Sequence, residues 1–196
     1  MEFVLKSINI MTAILIAIGL LSAGCMTVTE LSTLGMPLNY ARSPVLDTKA
    51  QWRTVILPPS VSSGSRVTDL NGLSDYAGMA LLRTGQFSLV DRSVVDELLS
   101  EQEFSYSGVV DQATAVQLGK LLGAEAVMTI NIGPITHDSF WDDEPAQRDA
   151  SLHVKIISVE TSEVLYTSTG EGNSFEGAEG ALRMALEVSL MGLTQQ

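Results

Sequence analysis

FSLVDRSVVDELLSEQEFSYSGVVDQATAVQLGKLLGAEAVMTINIG, from Phe87 to Gly133, is the stretch on which the fold turns. Phe87 to Val90 is a short apolar run of strand-forming residues. Ser93 stands three residues before Asp96, the spacing of a helix-opening cap, and Val94, Val95, Leu98 and Leu99 then make one buried stripe. Phe104 to Val110 is a loop. Asp111 is placed to cap the next helix, whose apolar side is Ala115, Leu118, Leu121 and Leu122 and whose end is Gly123. Ala126 to Ile132 is almost continuously apolar, as expected of a central strand covered on both faces. Asp91 and Arg92 mark the strand-to-helix junction, where a carboxylate can cap free amides and a cation can anchor a loop. The small residues of Leu118 to Ala124 are those needed where a helix lies close to a sheet.

Working outward, Trp52 to Leu57 predicts a strand stopped by Pro58 and Pro59, followed by a polar loop from Ser60 to Ser65. Leu70, Leu73, Ala77, Ala80 and Leu81 recur at helical spacing, with Gly85 suited to the helix end. Downstream, His137 to Asp149 is an acidic, aromatic interruption. Leu152 to Val159 and Val164 to Thr169 flank Glu160-Thr161-Ser162-Glu163 as a hairpin. A glycine-rich bend, Gly170 to Gly180, leads to a last helix with Ala181, Leu182, Ala185, Leu186, Leu190 and Leu193 on one side. The expected order is βαβααβββα, an α/β (α+β) fold with a mixed sheet of about five strands and about four helices.

The 196 residues are 45% apolar, enough for one cored domain, and the formal charge of −12 with only 11 Lys and Arg argues against a nucleic-acid partner. The N-terminus has the build of an export leader: Lys6, an apolar run from Ile8 to Leu21, then small residues before Cys25. That run falls short of the ~20 residues of a membrane-spanning helix. Leu21-Ser22-Ala23-Gly24-Cys25 resembles the bacterial lipobox. The resemblance implies that Cys25 becomes the acylated N-terminus, and Met26 in place of an aspartate implies outer-membrane delivery. A lone cysteine in an exported chain has no internal disulfide partner, in keeping with modification. The expected division is a leader over residues 1–24, an acylated tether over 25–50, and a periplasmic domain over 51–196. Leu34, Met36 and Leu38 alternate, which leaves open whether part of the tether packs on the domain.

Three segments together carry a wider likeness: VDRSVVDELLSEQ from Val90, SGVVDQATAVQLGKLLGAEAVMT from Ser107, and VKIISVETSEVL from Val154. The set resembles the lipoprotein family of the curli-secretion channel and its holdfast-anchor relatives, over about Arg53 to Leu193. Ser162 departs from that family's usual glycine in the hairpin turn. The channel members carry two membrane hairpins per subunit and aromatics in the loop after the first strand. A membrane hairpin takes about 20 residues with alternating apolar positions. The segments after Ile132 and after Thr169 are too short and too acidic for one, and Pro58 to Asp75 has no aromatic. A form without a pore is therefore expected.

No Ser-His-Asp arrangement, phosphate-cradling loop or paired catalytic carboxylates can be assembled, so no catalytic residue, no enzyme activity and no cofactor are expected. His137 with Asp138, Asp142, Asp143 and Glu144 has the oxygen ligands of a Ca²⁺ loop without a recognisable spacing, and is read as a solvated loop with no metal. His153 lies within a strand and is read as structural. Phe140, Trp141 and Phe175 are the candidate partner contacts, because large aromatics in polar loops often anchor interfaces. The expected role is a non-catalytic assembly or secretion-associated module on the periplasmic face of the outer membrane, held by its lipid, binding a periplasmic protein and able to assemble with copies of itself. The alternative, also by resemblance, is an activator lipoprotein of a peptidoglycan-synthesising penicillin-binding protein. That role calls for a tether able to cross the wall.

Overall fold

The computed structural model describes residues 39–61, 70–101, 111–136 and 147–194. The strands are β1 (Tyr40–Arg42), β2 (Trp52–Ile56), β3 (Ser60–Val61), β4 (Phe87–Leu89), β5 (Ala126–Ile135), β6 (Arg148–Ser158) and β7 (Val164–Ser174). The helices are α1 (Leu70–Arg83), α2 (Arg92–Glu101), α3 (Gln112–Leu121) and α4 (Ala178–Thr194), with a 3-10 turn at Pro44–Thr48. One open sheet runs β1-β7-β6-β5-β2-β4, and β3 continues beside β5 where β2 leaves off. β2 is parallel to β4 and β5, β3 is parallel to β5, and the remaining pairs are antiparallel.

This topology fixes the layers. β4 lies on one side of β2 and β5 on the other, so right-handed crossovers from β2 to β4 and from β4 to β5 put their helices on opposite faces. Leu73, Ala77 and Leu81 of α1 share one core with Leu182, Leu186 and Leu190 of α4 and with Met128, Ile130, Val154 and Ile156 of the sheet. Val95 and Leu99 of α2 and Ala115, Leu118 and Leu122 of α3 pack on Val55, Leu57, Val127 and Val159 on the other face. The start of β5 is buried from both sides, as its apolar run predicts.

The predicted local signals hold in most places, but Val94 and Leu121, expected on the buried stripes of α2 and α3, are exposed. Asp111 caps α3 by accepting from the Thr114 amide at 2.8 Å. Gly85 and Gly123 follow α1 and α3 with φ of +71° and +62°, left-handed conformations that a glycine adopts without strain. A side chain at Gly119 would collide with Val127 and Val159, which is the close helix-to-sheet approach expected of the segment around it. At α2 the cap is Asp91, which takes the Ser93 amide at 2.8 Å and the Ser93 hydroxyl; Ser93 itself is the second helical residue.

Two expectations need correction. The segment expected as tether up to Ala50 contributes to the domain from Asn39 onward. Tyr40 stacks on Tyr166 at 6.0 Å, Leu46 is fully buried, and the Trp52 indole donates to the Leu46 carbonyl at 2.9 Å. These elements are too short for any hydrophobic period to register. The glycine-rich bend expected from Gly170 is strand as far as Ser174, so the sheet has seven strands where about five were expected, and β5, β6 and β7 are longer than predicted. Side chains at Gly170 and Gly172 would overlap the α4 backbone at Ala185 and Ala181. The glycines thus mark a close backbone approach, not a turn.

The 160–163 turn holds Ser162 at φ +61°, the one described non-glycine residue in the left-handed region. Ser162→Gly is expected to raise unfolding free energy by about 0.5–1 kcal/mol by relieving that conformation. Gly170→Ala is expected to lower it by about 1–3 kcal/mol through collision with α4. Urea titration of the two variants checks both signs.

Candidate interaction surfaces

Cys25, Phe140 and Trp141, and with them His137, lie outside the described residues. Phe175 lies inside them and is 71% exposed, on the turn from β7 to α4. The Glu176 amide donates to the Ser174 hydroxyl at 3.0 Å, and Gly177 at φ +102° completes the turn, so Phe175 is held outward by a fixed backbone. Arg148 pairs with Ser174, which puts the start of β6 beside the residue before Phe175. Phe175 therefore lies at the end of the sheet where β5 ends and β6 begins. Thr169 donates to the Asn39 carbonyl at 2.8 Å, and β1 is antiparallel to β7, so Asn39 lies on the side of Tyr40 toward this end of the sheet.

A second surface did not emerge from the sequence. α1 and α2 straddle β4 at the edge of the sheet and leave a groove of about 360 Å³. Its walls include Ile56, Gly78, Met79, Leu82, Leu89 and Val95, with Asp75, Asp91, Arg92 and Asp96 at the rim. Gly78 lets α1 approach the strands, since a side chain there would press on Leu89 at 3.1 Å. Arg92 ties the two helices together: it donates to the Asn71 carbonyl at 3.0 Å and pairs with Asp75 at 3.3 Å and Asp96 at 3.5 Å. The Ser93 hydroxyl first, and its amide second, hold the Asp91 carboxyl below the usual carboxylate range. Met79 and Leu82, 49% and 53% exposed, face away from the α1 core stripe. A clue was present in the sequence: two large apolar residues off the buried phase of a helix whose buried side is Leu73, Ala77 and Leu81.

On the sheet face away from α4, polar groups pair with one another. Asn131 accepts from the Ser60 hydroxyl, and His153 Nε2 lies 3.0 Å from the Thr167 hydroxyl. No three His, Cys, Asp or Glu converge among the described residues, and no described helix is long and apolar enough to cross a membrane. Burial, and then the Lys155 ammonium, pushes the His153 imidazole below its ordinary value. The unfolded chain takes up that proton near pH ~6.5 while the folded protein resists it. Stability contributed above this range is therefore lost as pH falls from the unfolded value toward the folded one. Urea midpoints measured from pH ~7.5 to ~5.5 are expected to fall more steeply for the natural chain than for His153→Gln; equal slopes would assign the dependence to other groups.

The sequence profile of the curli production assembly/transport component CsgG matches residues 30–137. No curated protein matches the chain. Among solved structures, the PelC dodecamer from Paraburkholderia phytofirmans is 10% identical with a TM-score of 0.50, over 80% of this chain and 96% of that one. At that identity the likeness is one of fold. The LpoB C-terminal domain from Salmonella enterica is 14% identical with a TM-score of 0.48, over 63% of this chain and 84% of that one. Lipoprotein GNA1162 from Neisseria meningitidis is 16% identical with a TM-score of 0.48, over 74% and 99%.

Proposed function

Because the chain belongs to the CsgG family, whose profile matches more than half of it, we propose that it is an outer-membrane-anchored periplasmic lipoprotein acting as a non-catalytic assembly or secretion-associated module. Cys25 carries the lipid, the domain assembles with copies of itself, and it forms no pore of its own. Phe140, Trp141 and Phe175 are contacts to a periplasmic protein. The observation that carries the pore-less reading is the junction of β7 and α4: the strand ends at Ser174 and the helix begins at Ala178, leaving a three-residue turn. A membrane hairpin takes about 20 residues, which such a turn cannot hold. The connection from β5 to β6 spans only residues 136–147 and carries Asp138, Asp142, Asp143 and Glu144. Self-assembly draws support from the dodecameric PelC, which shares the fold. Acylation draws support from the leader and from the position of Cys25 directly behind it.

The tether bears on the alternative. With the domain beginning at Asn39, the chain between Cys25 and the first described residue is 26–38. At full extension that segment reaches about 45 Å. This is shorter than the tether first expected and weighs against a wall-crossing activator.

Mass spectrometry of the protein isolated from membranes is expected to find an acylated Cys25 at the N-terminus, and Cys25→Ser is expected to leave the protein unanchored. Light scattering of the full chain in detergent is expected to find a defined oligomer; a strict monomer at high concentration would remove self-assembly from the reading. Large stable channels in planar bilayers would overturn the pore-less reading. Capture of a penicillin-binding protein, with stimulated glycan synthesis, would replace the assembly role by the activator role.

A further inference from the structure

We propose that the groove beside β4 binds an extended segment of a partner protein that adds to the sheet as a further strand and alternates aliphatic and basic residues. This names the surface and the chemistry by which the proposed interaction module would bind, and it rests on that reading. Phe175, on the turn from β7 to α4, does not line this groove.

The edge comes first. Among the described residues β4 pairs only with β2. The Gln86 carbonyl accepts from Trp52 and the Val90 amide donates to Thr54, so alternate residues point toward β2. Phe87 and Leu89, between them, direct their amide and carbonyl groups to the outer edge, where no described strand meets them. Strand addition at such an edge supplies backbone hydrogen bonds, and flanking pockets for alternate side chains supply selectivity.

Here the two flanks differ in chemistry. α1 on one face of the sheet offers Met79 and Leu82, half exposed and continuous with Leu89 and Ile56 at the groove floor. Neither Met79 nor Leu82 serves the core, and large exposed apolar side chains grouped on a groove mark interaction surfaces more often than scattered ones do. α2 on the opposite face offers Asp91 and Asp96, and Asp75 adds a third carboxylate from α1. Three carboxylates stand against one guanidinium, that of Arg92, which is already committed to Asn71, Asp75 and Asp96. The rim is thus left with an unbalanced negative charge. Successive residues of an added strand point to opposite faces, so an aliphatic residue toward Met79 and Leu82 puts the next residue beside Asp91 and Asp96. A lysine or arginine there meets the charge of the rim. A uniformly apolar strand would leave the carboxylates unmatched, and an acidic one would be repelled.

Fluorescence anisotropy of the full chain in detergent tests this, with a labelled Val-Lys-Leu-Lys-Val-Lys peptide as probe. Saturable one-to-one binding is expected, weakened about five- to tenfold by Leu82→Ser and by Asp96→Asn. Both positions are exposed, and folding of each variant is checked by its urea midpoint. Glu163→Gln, in the hairpin turn at the far end of β7, removes the same charge and is expected to change nothing. A Val-Glu-Leu-Glu-Val-Glu peptide is expected not to bind, and Ser-Lys-Ser-Lys-Ser-Lys to bind far more weakly. Absence of saturable binding, or equal weakening by Glu163→Gln and Asp96→Asn, would overturn the proposal as mere attraction to an acidic chain. The titration reads the groove whether or not the subunits assemble, so failure here and failure of the assembly role are separable.

Discussion

The backbone of α4 rests directly on β7, and it can do so because Gly170 and Gly172 present no side chain to it. Most of one face of the domain follows from that approach. It brings Tyr166 under α4, where its hydroxyl donates to the Ser189 carbonyl, and it lets Tyr40 lie against Gly192. Tyr40 then stacks on Tyr166 and Arg42 reaches the Gly192 carbonyl, so a strand of only three residues is held by the helix as much as by its ladder. An isolated three-residue strand has little stability of its own. The place of β1 at the sheet edge is therefore set by helix packing as well as by pairing.

The other face depends on a similar device at Gly119, which allows α3 to settle on Val127 and Val159. α3 and α2 cover only the part of the sheet around β2 and the start of β5. Beyond them, toward β6 and β7, the face is polar, and its side chains satisfy each other through pairs such as His153 with Thr167. At the β4 edge the two layers of helix part and leave the groove clamped by Arg92. Its exposed ion pairs add little stability individually. Their consequence is geometric, because one guanidinium shared between α1 and α2 sets the spacing of the groove walls.

Legibility from sequence tracked the length of the period available to be read. Leu73, Ala77 and Leu81, or Ala181, Ala185 and Leu186, repeat often enough to declare a helix and its buried side. Asp111 and Gly123 declare its ends through local hydrogen bonding and backbone conformation, which need no partner from elsewhere in the chain. Tyr40 to Thr48 had no such period, and its place depends on residues more than a hundred positions away. Phe175 stood out because a large aromatic among glycines and glutamates has no local reason to be there. Met79 and Leu82 were passed over because one apolar residue more or less on a helix is ordinary until the neighbouring surface is known.

The amino-acid sequence by itself determined the order of the long elements, the central place of β5, the helix ends and the hairpin, all of which arise from short-range periodicity and capping, while the family came from the resemblance of three segments to known proteins. Only the tertiary structure decided that Gly170 and Gly172 are strand against a helix, that Asn39 onward packs with the domain, and that β4, paired among the described residues only with β2, lies between an apolar wall and an acidic one. Each of these depends on which segments become neighbours across the sheet. A glycine that permits a turn and a glycine that permits a helix to touch a strand are the same residue until the fold brings the helix there.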